Sequence, residues 1–345
     1  MNKITMQDIA DALGISRVTV WKVFKNQSGV SASLRESVLQ KAKELGYSKI
    51  SLPDSLAPAA EESEKTVSLI ISRPDSSTFW TNIIHSMAQE FSCHNMNMMY
   101  TYMPSAYTED FTMPSILSSG SIQGAVILNV YDEKLIRMVS ELSLPKVFLD
   151  TVPGLDARML HGDLLLLEGR HSIYQITESV LARGLTHLGF IGDIHYARTN
   201  LDRYKGFCQC MEAHHLEIDQ KVCFTQSIGI FSYYQMLCDF LDSLNSLHAM
   251  PQGFICASDY IAHFLQRYFT EHGGCHQAEG ILVTGYDGSR EYSNVDGMIT
   301  TADVKTGLLG KRLSMQAVYR MEHADAPYEV TYIHPEIIYR DSVLY

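Results

Sequence analysis

Four residues, Leu13-Gly14-Ile15-Ser16, constrain this chain more than any others, because they separate two short helical patterns. A connection that short leaves room only for a sharply angled helix pair, the helix-turn-helix arrangement. The first pattern opens at Thr5, with Asp8 three positions on as a capping-box partner. Ile9, Ala10 and Leu13 form its apolar face, and Gly14 ends it. Ser16 is placed to cap the second helix, in which Val20, Val23 and Phe24 recur at helical spacing. A third helix is predicted to begin near residues 31–33, with Leu34, Val38, Leu39, Ala42 and Leu45 on one face. Gly46 follows where a left-handed C-cap belongs.

The net charge of −12 taken alone argues against a nucleic-acid partner, but its distribution reverses that reading. Within residues 1–50, eight basic side chains (Lys3, Arg17, Lys22, Lys25, Arg35, Lys41, Lys43, Lys49) face four acids (Asp8, Asp11, Glu36, Glu44). The segment therefore carries +4 and the other 295 residues carry −16. A small basic module on an acidic body is the footprint of a polyanion-binding head. Arg17 and Lys22 lie on the outer face of the second helix, away from Val20 and Val23. There they suit base edges or phosphates, although ordinary solvated charges would look the same.

Residues 48–66 read as a linker, interrupted by Pro53, Pro58 and the acidic run Glu61-Glu62-Ser63-Glu64. The expected organisation is a helix-turn-helix domain at 1–50, a hinge or linker at 51–65 and a ligand-sensing body at 66–345. In the body, strand-like runs at 67–72, 125–130, 145–150, 187–192, 253–257 and 281–286 alternate with helical patterns. The helical patterns include 81–92, 173–183, 203–213, 233–244 and 260–271. Continuous apolar strands alternating with helices imply parallel sheets covered on both faces. So long a body suggests two α/β lobes rather than one.

With 46% hydrophobic and 19% charged residues the chain is not disordered. No apolar run approaches the roughly 20 residues of a membrane helix, and the polar N-terminus lacks a signal-peptide core. A soluble, cytoplasmic protein is expected. Seven scattered cysteines argue against a disulfide framework or a zinc cage. His214-His215, and His272 with His276, are better explained as solvated loop or helix-end residues. No metal and no cofactor is expected. Nor is an enzyme, since Ser-His-Asp, GxGxxG and P-loop spacings are lacking.

The residues also resemble a known family. Ile4-Thr5-Met6-Gln7-Asp8-Ile9-Ala10, Leu13-Gly14-Ile15-Ser16, Thr19-Val20, Val23, Val30-Ser31, Arg35, Val38 and Leu45-Gly46-Tyr47 look like the start of a LacI/GalR-family transcriptional regulator. Further blocks follow in family order: Ser77-Thr78-Phe79-Trp80, 187–193, 202–207, Ile255-Cys256-Ala257-Ser258-Asp259, 283–287 and Ile299-Thr300-Thr301. The resemblance implies that Arg17, Val18 and Lys22 read bases while Thr5, Thr19 and Ser31 touch phosphate. Ser16, Trp21 and Lys25 complete the DNA-facing set. Trp21 replaces a small residue, and would pack on the sugar-phosphate edge or against the third helix. Lys25 stands where Asn is usual. Leu56, at the family's hinge position, would wedge into the minor groove or simply belong to a flexible tether.

The implied fold is a small all-α helix-turn-helix head plus an α/β periplasmic-binding-protein-like sensor of two doubly wound lobes, crossed three times by the chain. The first lobe would hold about 66–160 and 291–320, the second about 161–290 and 321–345. A small-molecule effector, expected to be a sugar, would lie between them. Arg203, Asp259 and Asp287 fall at effector-contacting positions, with Phe79 and Tyr196 beside them. Arg198, Asn129, Asp150 and Glu168 are weaker candidates. Carboxylates accept paired hydroxyl hydrogen bonds and a guanidinium donates to oxygens, which suits a polyol. Other roles remain open: Asp259 would also serve as a helix cap, Asp287 as a strand-ending turn and Phe79 as core. The implied partners are palindromic operator DNA and a second copy of the chain. A solute-binding protein of a transport system shares the sensor architecture but has no use for residues 1–50.

Overall fold

A computed structural model describes residues 4–24, 27, 29–45, 47, 65–72, 77–227, 232–272 and 280–341. The chain divides into two compact units, between Glu64 and Lys65.

In the first unit, helices α1 (Met6–Leu13), α2 (Arg17–Phe24) and α3 (Ala32–Glu44) form where their caps direct. Thr5 Oγ1 accepts from Asp8 N, and Asp8 Oδ2 accepts from Thr5 N at 2.7 Å, completing the capping box. Those bonds hold the Asp8 carboxyl below its ordinary pKa. Gly14 closes α1 in the left-handed region at φ 63°, a conformation that a side chain disfavours. Ser16 Oγ accepts from Thr19 N at 3.1 Å and starts α2. Ile9, Ala10, Val20, Val23, Phe24, Val38, Ala42 and Tyr47 make a small shared core, with Phe24 stacked on Tyr47. Arg35 reaches from α3 to Val23 O and Gln27 O and ties the end of α2 in place. Gly46, Lys25, Leu56 and linker residues 48–64 lie outside the described residues, while Lys65 and Thr66, expected in the linker, open the first strand of the second unit.

The described residues of the second unit form a six-stranded, a three-stranded and a two-stranded sheet. The first runs β10-β5-β4-β3-β1-β2, all parallel, from β1 (Lys65–Ile71), β2 (Met96–Tyr102), β3 (Gly124–Leu128), β4 (Lys146–Leu149), β5 (Asp163–Leu167) and β10 (Val330–Ile333). Alternate residues of β1 serve opposite faces. Val67, Leu69 and Ile71 join Ile83, Met87 and Phe91 of α4 (Thr78–Cys93) and Leu309 and Leu313 of α10 (Thr306–Glu322). Ile70 joins Leu135, Ile136 and Val139 of α5 (Glu133–Ser140).

The second sheet pairs β6 (Leu188–Ile191), β7 (Gly253–Cys256) and β8 (Leu282–Thr284) in parallel. A bridge between Thr284 and Thr300 extends it to β9 (Thr301–Asp303), which pairs antiparallel with β11 (Glu336–Ile338). Helices α6 (Arg170–Leu181) and α7 (Arg198–Ala213) pack closely because Gly206 lacks a side chain. A Cβ there would sit 2.1 Å from Arg170 O. Helices α8 (Tyr233–Ser246) and α9 (Asp259–Glu271) complete the lobe.

The chain crosses between lobes after β5, after β9 and after β10. Strand pairing corrects the expected lobe limits. Residues 163–167 belong to the first lobe, because β5 lies between β4 and β10. The cause is buried Asp163, which takes a two-pronged ion pair from Arg320 of α10 and a backbone bond from Glu329. Those contacts bring β10 to the first lobe as well, while β9 stays with the second. No helix of the described residues is long and apolar enough to cross a membrane.

Candidate functional site

The head presents one face of α2 outward. Arg17 and Val18 are exposed, with Trp21 beside them and Lys22 half-buried. Val18 points away from the core residues Val20, Val23 and Phe24. Trp21 is 39% exposed and is not one of the buried residues of the small core. Thr5, Ser16 and Ser31 all act as helix caps, and Ser31 Oγ accepts from Leu34 N at 3.4 Å. Thr19 shares a 2.8 Å hydroxyl contact with Ser16. An oriented arginine fork, a lysine and helix-end donors are the groups that engage bases and phosphates.

In the sensor the candidates gather at the C-terminal ends of parallel strands, where open α/β sheets take ligands. Arg203, on α7, is 5% exposed. Its guanidinium lies 3.6 Å from the ring centre of Tyr286, donates to Ala257 O and stands 3.9 Å from Asp287 Oδ1. Its Nε is buried without a hydrogen-bond partner. Gly169 makes room for the arginine stem, since a Cβ there would meet Arg203 Cγ at 2.5 Å. Tyr286, held by its hydroxyl to Glu168 O at 2.6 Å, completes the seat.

Asp287 follows Tyr286 with φ at +115°, a conformation that a non-glycine residue seldom adopts. Burial raises its carboxyl to about 8, against the pull of Arg203 and with a push from Asp259. Asp259 is 1% exposed, and its two oxygens accept from Ser289 N and Thr301 Oγ1, each at 2.7 Å. Burial raises it to about 6. It sits under the 285–289 turn, and only a glycine fits at 285, where a Cβ would lie 2.0 Å from Asp259 Oδ1. Both oxygens are thus committed to shaping the turn that carries Asp287. The cap of α9 is Ser258, not Asp259. A cavity of about 200 Å³ opens beside Asp259 among Ser289, Arg290, Asp296, Thr301, Asp303 and Arg340; Arg203 and Asp287 do not line it.

From the first lobe, Asn129 and Asp150 stand past the ends of β3 and β4 at φ +54° and +67°. Each reaches across to the second lobe. Tyr196 donates to Asn129 Oδ1 at 2.8 Å, and Thr199 donates through both its amide and its hydroxyl to Asp150. Arg198 N donates to Thr151 O, and Arg198 Nη2 donates to the Tyr332 hydroxyl. Burial raises the Asp150 carboxyl, against the hydrogen bonds from Thr199 and Thr151 N. Tyr131, unremarked in the sequence, packs its ring 4.4 Å from Tyr196 and donates to Asp150. At the lobe rim, Thr78 donates through its amide and hydroxyl to Glu291. Phe79, next to it, is half-buried with its ring edge-on to Trp80 and packed on the core. Glu168 accepts from His171 N and Ser172 N, so it caps α6 rather than facing a ligand. Ser72 and Thr151, at the ends of β1 and β4, also carry buried hydroxyls without partners.

Tyr131, Thr199 and Tyr286 are the site residues that sequence reasoning missed. Only Tyr286 had a signal, lying inside the 283–287 block.

Comparison with known proteins matches residues 5–49 to the lacI family of bacterial regulatory proteins and 177–343 to a periplasmic binding protein-like domain. The HTH-type transcriptional repressor PurR of Mannheimia succiniciproducens is 23% identical, over 98% of both chains. The HTH-type transcriptional regulator RegA of Clostridium saccharobutylicum is 22% identical, over 99% of both. Among solved structures, a complex of the regulator CelR with cellobiose superposes with a TM-score of 0.67 at 18% identity, covering 98% of this chain and 99% of that one. A lac repressor dimer bound to operator and the anti-inducer ONPF gives 0.66 at 18% identity, covering all of both chains. These likenesses show the shared fold, and the relatives are regulators rather than enzymes. With its helix-turn-helix head and its periplasmic-binding-protein-like sensor, the chain belongs to the LacI family and is a DNA-binding transcriptional regulator.

Proposed function

We propose that this regulator is a cytoplasmic repressor that binds a palindromic operator as a homodimer and takes a sugar between its lobes. The observation that carries the ligand reading is Arg203, a buried guanidinium whose Nε has no partner and whose neighbour is the Asp287 carboxylate, past the end of a parallel strand. A buried unsatisfied donor costs stability unless something accepts from it, and a polyol oxygen does so while its hydroxyl donates to Asp287. Strained backbone at Asn129, Asp150 and Asp287 marks the same region, as functional sites tend to do. A cellobiose complex of a structural relative fits this chemistry.

The dimer is supported by β2, an edge strand without charged residues whose Tyr100 and Tyr102 are more than half exposed. Such an unguarded edge is usually covered by another chain. Two heads are also needed, since one small head binds weakly and pairing supplies effective concentration. Ligand acts by favouring one arrangement of the lobes, through the Tyr196–Asn129 and Thr199–Asp150 contacts that bridge them. Lys25 and Leu56 enter this reading on their sequence positions alone.

The test is selection from a random duplex pool with and without a panel of sugars, followed by calorimetry on the compound that changes the result. Arg203→Lys keeps the charge but loses the planar fork, and should weaken that compound at least roughly 10-fold. Unchanged affinity in the variant would sink the assignment of the cleft.

A further inference from the structure

The outward face of α2 is unusual in being apolar at its centre. Val18 is 60% exposed and lies opposite the head's core, and Trp21 stands one turn on, with Arg17 and Lys22 flanking them. Neither side chain is one of the buried residues of the small core. A large apolar pair held in water on the helix that enters a groove is a binding surface waiting for its counterpart. The four flanking and central residues carry two positive charges and no acid, which fits the surface of a duplex. In the major groove the apolar group available to such a pair is the thymine C5-methyl.

We infer that Val18 and Trp21 act together as a reader of thymine methyl groups, beside a base contact made by Arg17. The inference rests on the DNA-binding reading of α2. It makes Trp21 a specificity-determining residue rather than a backbone contact. Each half-site should then contain a thymine whose methyl lies under the pair. A methyl removed from an apolar contact weakens binding about four-fold, so losing one in both half-sites should cost on the order of ten-fold or more.

Two selections on the full-length protein test this, one from a random duplex pool made with thymidine and one with deoxyuridine, which differs only by the methyl. Affinities are then measured for the recovered thymidine duplex and its deoxyuridine copy, with wild type, Val18→Ala and Trp21→Ala. The expected result is a roughly ten-fold preference for the thymidine duplex in wild type, shrinking towards unity in both variants. Equal wild-type affinity for the two duplexes overturns the methyl reading while leaving DNA binding intact. A preference that persists in Trp21→Ala, with both duplexes weakened alike, assigns Trp21 to the backbone and overturns its part. Absence of any sequence-selective binding overturns this inference together with the reading it rests on. Circular dichroism of each variant separates loss of contact from loss of fold.

Discussion

The head and the sensor place their working side chains in opposite ways. In the head, Arg17, Val18, Trp21 and Lys22 lie within six consecutive positions, stand outside the core and are oriented by caps only three residues away. In the sensor, Arg203 is buried, and its surroundings come from Gly169, Ala257, Tyr286 and Asp287, segments far apart in the chain. A surface that meets a rigid, highly charged duplex needs display and little burial, whereas a buried guanidinium needs fixed dipoles around it in place of water. The head is therefore organised by local bonds and the sensor by distant ones, and the two should respond differently to perturbation.

The sharpest way to expose that difference is at Arg320, whose fork holds Asp163 of β5 from the far end of the chain, with neither group reaching solvent. Replacing it with Met leaves Asp163 buried without its cation, keeping only the donors Gln316 and Glu329 N, at a cost of about 3–5 kcal/mol. Urea unfolding of the full chain should show the sensor transition shifted by that amount. A shift under 1 kcal/mol would mean that the long-range pair does not organise the first lobe.

The pH dependence of the sensor gives a second, smaller effect. Asp287, raised to about 8, keeps in the folded state a proton that an unfolded aspartate releases near pH 4. Between those values the folded protein binds more protons, so stability falls as pH rises and levels off above about 8. Asp259, at about 6, adds in the same direction at lower pH. Lys146, pulled down to about 8 by burial, works the opposite way only above that pH. The ligand-free protein should melt higher at pH 5.5 than at pH 8, and Asp287→Asn should flatten the difference. A wild-type melting temperature that climbs across this window would break the assignment of Asp287 as a buried, protonated group.

The smallest expected effect lies in the head. Thr5→Ala removes one half of the capping box, and should lower the head's melting temperature by about 4–8 °C while leaving the sensor transition in place. Coupled loss in both transitions would contradict the division of the chain into two separately organised units.

Legibility followed the same divide. The caps at Thr5 and Ser16 and the turn at Gly14 were readable because each depends on residues three or four positions away. Strand runs such as 67–72 and 253–257 were readable because both faces are buried and the run is continuously apolar. The equally apolar β5 was not read as a strand, and the lobe limits were misplaced with it, because its partners β4 and β10 stand about 15 and 165 positions away. Arg203 and Asp287 were placed by resemblance, and the structure brings them to 3.9 Å. Asp259 was likewise placed by resemblance, but its partners Ser289 N and Thr301 Oγ1 cannot be deduced from its own neighbourhood.

By itself, then, the sequence determined what acts over one turn of helix or one strand: the three-helix head, its charge, its outward α2 face and the alternation that requires covered parallel sheets. Tertiary structure alone decided which strands share a sheet, which groups hold each buried carboxylate, and that Tyr131 and Thr199 meet Asp150 while Tyr286 lies under Arg203. Local order follows from hydrogen bonds and periodicity between near neighbours, but burial, a displaced pKa and an unpaired guanidinium nitrogen arise only when remote segments exclude water together.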